Sequence, residues 1–214
     1  MARTHLDLKT VRNPVKLVRA TEIKAKFDDF DDALDAALLG EYLGAPDLAT
    51  DNYYKASGVM QATAYTLAQT APPADNPPRN VTLTHTTDTT TDTLGDAVVV
   101  GTDYEDNPIT ETIPLVADSE VQGTKAFKTI VSVTTPDWVI AGGVADLIEI
   151  GFGKCLGLSR RLSAASQVFM ATLNGVALLP VITVDATLIE ENTIDLSAGT
   201  YDSAKLARAL LFGL

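Results

Sequence analysis

Short runs of β-branched residues, separated by turn residues, fill the chain from residue 79 onward and constrain its fold more than any other feature. Eight of the twelve positions in residues 82–93 are Thr, and branching at Cβ suits a pleated strand better than a helix. Apolar and polar residues alternate in residues 81–85 and 109–115. Turn signals recur about every 8–12 residues, as in sandwiches and barrels rather than βαβ units. The pattern predicts a mainly β fold, an antiparallel, jelly-roll-like β-sandwich.

Two turn-rich segments give this prediction local detail. Asn174 and Gly175 form the dipeptide typical of a two-residue hairpin. The segment GTDYEDNPITETIPLV, residues 101–116, predicts two strands, 98–104 and 109–116, joined by a polar turn at residues 105–108. The same segment is also a candidate calcium loop, because it carries four carboxylates: Asp103, Glu105, Asp106 and Glu111.

The first 78 residues have a different pattern. Residues 1–27 predict an extended basic arm, and residues 28–78 a helical or irregular segment. Apolar spacing predicts one short helix over about 29–43, with an Asp cluster favourably placed at its start. Residues 57–71 fit a strand or a helix equally, and residues 71–78 contain four Pro. The sandwich body is expected to span residues 79–214, with a closing strand near its end.

Charge is distributed unevenly between the arm and the rest of the chain. The formal net charge is −12, although residues 1–26 hold seven Lys or Arg against two acidic residues. An acidic body argues against a general nucleic-acid binder. The basic arm predicts docking on an acidic partner, with a solvated terminus as the alternative. The candidate partner-binding residues are Arg3, Lys9, Arg12, Lys16, Arg19, Lys24 and Lys26.

The residue types that carry catalysis are sparse. His5 and His85 are the only histidines and Cys155 is the only cysteine, so neither a nucleophile–base pair nor a thiolate zinc site is expected. The glycines of GFGKCLGL, residues 151–158, do not fit a Walker loop or a dinucleotide fingerprint. We therefore expect no enzymatic activity, cofactor or metal. The chain has no 18-residue apolar run and no hydrophobic signal core, which predicts a soluble protein made in the cytoplasm.

Three phrases in sequence order carry a resemblance to a known family. They are GTDYEDNPITETI, GTKAFKTIVSVT and GFGKCLGL, within residues 79–162, with a weaker continuation in VDATLIEENTIDLS, residues 184–197. Together they resemble a module of tailed-bacteriophage virion structural proteins, which includes head decoration proteins and the base proteins of capsid spikes or fibres. No catalytic residue follows from this resemblance.

The resemblance implies a non-enzymatic protein on the phage head surface that binds the major capsid protein or another virion protein. It also implies a homo-oligomer, for which a trimer is favoured over a pentamer. The acidic net charge and the lack of a long apolar run predict no contact with nucleic acid or membrane. One alternative is a tail or adaptor component with the same sandwich. The other is a carbohydrate-binding or depolymerising module, with a groove lined by Trp138, Tyr104 or Tyr201.

Overall fold

The computed structural model describes residues 38–212, which contain thirteen β-strands and three short 3-10 helices. The 3-10 helices are Ala165–Gln167, Ile189–Glu191 and Ser197–Gly199. The strands are β1 (Leu38–Tyr42), β2 (Thr50–Val59), β3 (Arg79–Thr86), β4 (Asp96–Thr102), β5 (Pro108–Pro114), β6 (Glu120–Phe127), β7 (Thr129–Thr134), β8 (Leu147–Gly157), β9 (Val168–Leu173), β10 (Val176–Leu178), β11 (Val181–Thr183), β12 (Thr193–Asp195) and β13 (Ala207–Phe212).

The strands form three sheets, and neighbouring strands pair antiparallel. A six-stranded sheet has the order β11-β12-β8-β3-β6, with β2 also paired to β8. A three-stranded sheet has the order β5-β4-β7, and a four-stranded sheet has the order β1-β13-β9-β10. The predicted mainly β, antiparallel fold is confirmed for the described residues.

Alternation along the central strands places the core. Val81 and Leu83 on β3, with Ile148 and Ile150 on β8, point to one face of the six-stranded sheet and are fully buried. They share one hydrophobic cluster with residues from all three strands of the three-stranded sheet, Val99 among them. The period of two in the sequence therefore marks the core face correctly.

The segment before residue 79 differs from its predicted helix wherever it can be compared. Residues 29–37 lie outside the described residues, but Leu38–Tyr42 is strand β1, which pairs with β13. Gly40, a poor helix former, lies in the middle of this strand. Pairing with a distant strand overrides the helical spacing of the apolar residues, so the helix prediction is wrong for residues 38–43.

The residues between β1 and β3 join the same core. Strand β2 ends at Val59, and irregular chain follows up to the start of β3. Tyr54, Met60 and Tyr65 are buried in the cluster that also contains the β3 and β8 side chains. Residues Gly40–Leu211 form one compact unit.

Three local predictions are confirmed. The predicted closing strand is β13, which ends at Phe212, the last described residue. The acidic segment forms a hairpin in which β4 and β5 pair from Asp96 with Pro114 to Thr102 with Pro108. Asn174 and Gly175 join β9 to β10, and both have a positive φ, as a two-residue hairpin turn requires.

Candidate functional site

The turn between β4 and β5 is held by the Asp103 carboxylate. Its Oδ1 accepts hydrogen bonds from the backbone N–H groups of Glu105 (2.8 Å) and Asn107 (2.9 Å), and its Oδ2 accepts one from the Asn107 side chain (3.1 Å). Asp103 is almost fully buried. A buried carboxylate needs such donors, and in return Asp103 holds the turn together through these hydrogen bonds.

The other two carboxylates of this turn form ion pairs. Arg161 contacts Glu105 in a bidentate pair, at 2.9 and 2.6 Å, and this hydrogen bonding lowers the pKa of Glu105. Lys128 contacts Asp106 at 2.7 Å. Each candidate calcium ligand of the turn therefore already has a protein partner. Within residues 38–212, no group of three or more Asp, Glu, His or Cys side chains is arranged to hold a metal ion.

Glu111, the fourth carboxylate, serves a different strand. It lies on the buried face of β5 between Ile109 and Ile113, and its Oε1 accepts hydrogen bonds from the backbone N–H and the hydroxyl of Thr124, at 2.5 and 3.0 Å. Lys125 N–H donates to the same oxygen at 3.3 Å. Glu111 therefore ties β5 to β6 across two sheets.

His85 is fully buried, and both of its ring nitrogens are engaged. The backbone N–H of Asp118 donates to Nδ1 at 3.0 Å, so Nδ1 carries no proton in this arrangement. Nε2 lies 3.0 Å from Oδ2 of Asp146, and therefore donates its proton to that carboxylate. The ring is a neutral bridge between a loop and a buried carboxylate, and it has no free nitrogen to act as a general base.

Asp146 and Asp92 form the centre of this polar network. The backbone N–H of each donates to the other's side chain, at 2.8 and 2.9 Å, and Asp88 N–H donates to Asp146 at 3.0 Å. Burial raises the pKa of Asp146, but the hydrogen bonds from Asp92, Asp88 and His85 together outweigh it, and the pKa is lowered. Trp138 is half-buried and donates its indole N–H to Asp92 at 3.0 Å.

Seven of the eight residues of GFGKCLGL, 151–157, form the second part of strand β8. A Cβ at Gly151 would overlap the backbone of Thr50 and Asp51, so this glycine lets β2 pass closely over the sheet. Cys155 is half-buried, and burial is the main cause that raises the pKa of its thiol.

Arg79 was not singled out by the sequence, because a cation at the start of a strand is usually exposed. It is fully buried, with its guanidinium 4.6 Å from the centre of the Phe152 ring and 5.5 Å from that of Tyr201. It donates hydrogen bonds to the Gly153 carbonyl and to the Asn76 side chain. Burial lowers its pKa to about 10, so the group stays charged at neutral pH.

A pair of carboxyl groups lies on the polar face of the six-stranded sheet. Glu149, on β8, shares a hydrogen bond with Asp51 on β2, and burial followed by the Asp51 charge raises the pKa of Glu149. A cleft of about 240 Å³ nearby is lined by Asp51, Thr82 and Glu120 among others. The Thr82 hydroxyl is buried without a hydrogen-bond partner among the described residues.

Two aromatic residues line a cleft of about 500 Å³. Tyr42 and Tyr104 are exposed, and the cleft also includes Lys128 and the proline-rich residues 71–78. Tyr201 is buried, with its hydroxyl bonded to the Lys154 carbonyl at 3.1 Å, so it lies away from any such groove. The aromatic residues considered together in the sequence are thus placed in different environments.

An exposed apolar segment is a second feature that the sequence did not reveal. Residues 176–183 predicted strands, and they form β10 and β11, yet Val176, Leu179 and Val181 are 63%, 95% and 70% exposed. An apolar run predicts a strand whose side chains are buried, and a single sequence does not show whether another part of the protein covers them.

The seven basic residues of the predicted arm, Arg3 to Lys26, lie outside the described residues.

The comparisons with known proteins give no relative. None of the helices in residues 38–212 is long and apolar enough to cross a membrane. No protein-family model matches the chain, and no curated protein or solved structure is significantly similar to it.

Proposed function

We propose that the chain is a non-enzymatic structural protein of a phage virion, a homo-oligomer that binds the capsid surface as a decoration protein or as the base of a spike or fibre. Its body would be a jelly-roll-like β-sandwich, in which the six-stranded and three-stranded sheets share one core. The proposal rests on the resemblance within residues 79–162 and on how the described polar groups are used.

That use is the observation that carries the proposal. His85 has both ring nitrogens bonded, and Asp92 and Asp146 accept hydrogen bonds from loop backbone groups. These imidazole and carboxylate groups could perform acid–base chemistry, but here they form hydrogen bonds that hold long loops in place. Such a body suits a protein whose task is to persist on a particle surface.

The basic residues 1–26 supply the contact with the capsid in this proposal. They carry a charge of +5 on a chain whose remaining residues sum to −17, so they would be attracted to an acidic lattice while the body is repelled from it. The contact would then weaken as salt is added, because exposed charges are screened within about 8 Å at physiological ionic strength.

The test is binding to phage heads that lack the protein. Removing residues 2–26, or replacing the seven basic residues there by Gln, should abolish coating and leave the thermal unfolding of the body unchanged. Arg160→Gln, which removes an exposed cation from the body, is the matched control and should coat normally. Wild-type occupancy by the shortened chain would show that the arm does not dock. Microscopy of labelled virions would distinguish a head protein from a tail or adaptor component.

One observation favours a second function, carbohydrate binding. Tyr42 and Tyr104 are exposed around the 500 Å³ cleft, and aromatic faces exposed in a concave surface are typical of sugar-binding sites. Binding to a glycan panel that is lost in Tyr104→Ala and retained in Tyr53→Phe would support this function. No binding by the wild-type protein would remove it.

A further inference from the structure

The outer edges of two sheets lie next to each other in the sequence. Strand β10 is an end strand of the four-stranded sheet, and β11 is an end strand of the six-stranded sheet. Only Leu179 and Pro180 separate them. Within the described residues, β10 pairs on one side with β9, and β11 pairs on one side with β12. One short segment therefore presents the open sides of both sheets.

This edge segment, which we define as residues 174–184, is apolar and uncharged. Its sequence is NGVALLPVITV, with no Asp, Glu, Lys or Arg, in a chain with 21% charged residues. Val176, Leu179 and Val181 are all more than 60% exposed. Natural proteins usually protect an open edge with charges, and an exposed apolar edge is a template for pairing with another chain.

The charge of the molecule indicates which partner fits. Two copies of a chain with a net charge of −12 repel each other wherever their acidic surfaces meet. They can approach closely where the surface carries no charge, and the edge segment is such a place. The basic residues 1–26 and an acidic capsid lattice both find their complement in charged surface, not in this segment. A second copy brings an identical uncharged apolar segment, so segments brought together around a symmetry axis can bury one another's side chains without charge repulsion.

We propose that the edge segment is the contact between copies of this chain, in which β10, Leu179 and β11 of neighbouring copies pack against one another around the symmetry axis of the oligomer. The inference rests on the homo-oligomer of the proposed function and names its contact surface. Burial of the apolar side chains drives the association, and the open strand edges add backbone hydrogen bonds between copies.

The first test measures the mass of the full chain in solution by light scattering or sedimentation. The wild-type protein should have a multiple of the single-chain mass. Leu179→Lys and Val181→Lys should reduce it to one chain, because a buried unpaired ammonium is strongly disfavoured. Val144→Lys is the matched control, since Val144 is also an exposed valine, 49% accessible, but lies outside the segment; it should retain the oligomer.

A second variant keeps the inference testable if the lysine variants fail to fold. Leu179→Cys should form disulfide-linked pairs on mild oxidation, well above the background that Cys155 gives in the wild-type protein, whereas Val144→Cys should not. A single-chain mass for the wild type, or an oligomer that survives Leu179→Lys, would overturn the inference. So would a single-chain protein whose head binding is lost in Leu179→Lys, because the segment would then contact the capsid.

These outcomes are separable from those of the proposed function. If the protein is an oligomer held by the edge segment but does not coat heads, the inferred contact stands and the proposed capsid binding is wrong. A single-chain protein that coats heads rules out the inference and the homo-oligomer of the proposed function, but leaves its binding to the capsid in place.

Discussion

At the scale of residues, buried polar side chains of this protein form hydrogen bonds between loops that are far apart in sequence. Asp146 receives hydrogen bonds from His85, Asp88 and Asp92, which lie more than fifty positions away. The arrangement leaves few donors unpaired, as low-polarity interiors require. Removing one such acceptor therefore lowers the free energy of unfolding, because several donors are left buried without a partner.

Asp146→Ala should lower the free energy of unfolding by about 3 kcal/mol, because it leaves three donors without their acceptor. Asp88→Ala is the matched control: the backbone N–H of Asp88 bonds Asp146, but its own side chain is exposed, so a change within about 0.5 kcal/mol is expected. Urea unfolding followed by tryptophan fluorescence measures both. Equal effects in the two variants would show that the network contributes little.

Glu149→Gln should stabilise the protein at neutral pH. The pKa of Glu149 is raised above its usual 4.5, by burial and then by Asp51, so the folded state holds the proton more tightly than the unfolded state. The stabilisation from this group is complete below the unfolded pKa and is lost as the pH rises through the folded pKa. An amide stays neutral and can donate to Asp51.

The measurement is the thermal midpoint at two pH values. The midpoint of Glu149→Gln should exceed that of the wild type at pH 7, and the difference should shrink near the usual pKa of 4.5. The same difference in thermal midpoint at both pH values would contradict a raised pKa of Glu149 in the folded state.

At the scale of elements, hairpins were the part of the fold most accessible from the sequence. The β4–β5 and β9–β10 hairpins depend on turn residues and alternation within a few positions, so local chemistry specifies them. Strand β1 was missed because its partner, β13, is distant in sequence, and a short apolar run fits a helix equally well. The burial of Arg79 and the exposure of Leu179 depend on packing between sheets, which a single sequence does not encode locally.

Gly175→Ala tests the turn of the β9–β10 hairpin. Gly175 has a φ of +78°, and a Cβ there would meet no atom within 4 Å, so the only penalty is the left-handed backbone, about 1–2 kcal/mol. Gly143→Ala is the matched control, because its Cβ also has open space and its φ is not positive. Chemical denaturation should separate the two variants by that amount, and equal stability would contradict a left-handed turn.

At the scale of the whole molecule, the net charge of −12 is the dominant electrostatic fact. Ion pairs such as Arg161 with Glu105 and Lys128 with Asp106 offset some of it locally. Of the 21 acidic side chains in residues 38–212, fifteen are exposed or half-buried, against nine Lys and Arg in the same residues. Their mutual repulsion destabilises the compact state.

Sodium chloride should therefore raise the thermal midpoint. Between roughly 0.01 M and 0.15 M salt the screening length falls from about 30 Å to about 8 Å, which weakens repulsion between distant carboxylates more than the close ion pairs. Differential scanning calorimetry at constant pH measures the shift. A midpoint that falls with salt would mean that attractive pairs outweigh the net repulsion.

Strand β8 also determines when the protein can fold. It pairs with β3, β2 and β12. The six-stranded sheet therefore cannot assemble until β8, which ends at residue 157, has been synthesised. At about 5–20 residues per second, the ribosome takes roughly 4–14 s to add the 71 residues between the ends of β3 and β8. During this time β2 and β3 exist without their partner, and their apolar residues are available to chaperones. Synthesis rate and chaperone supply, more than final stability, will then govern the yield of folded protein in a crowded host cell.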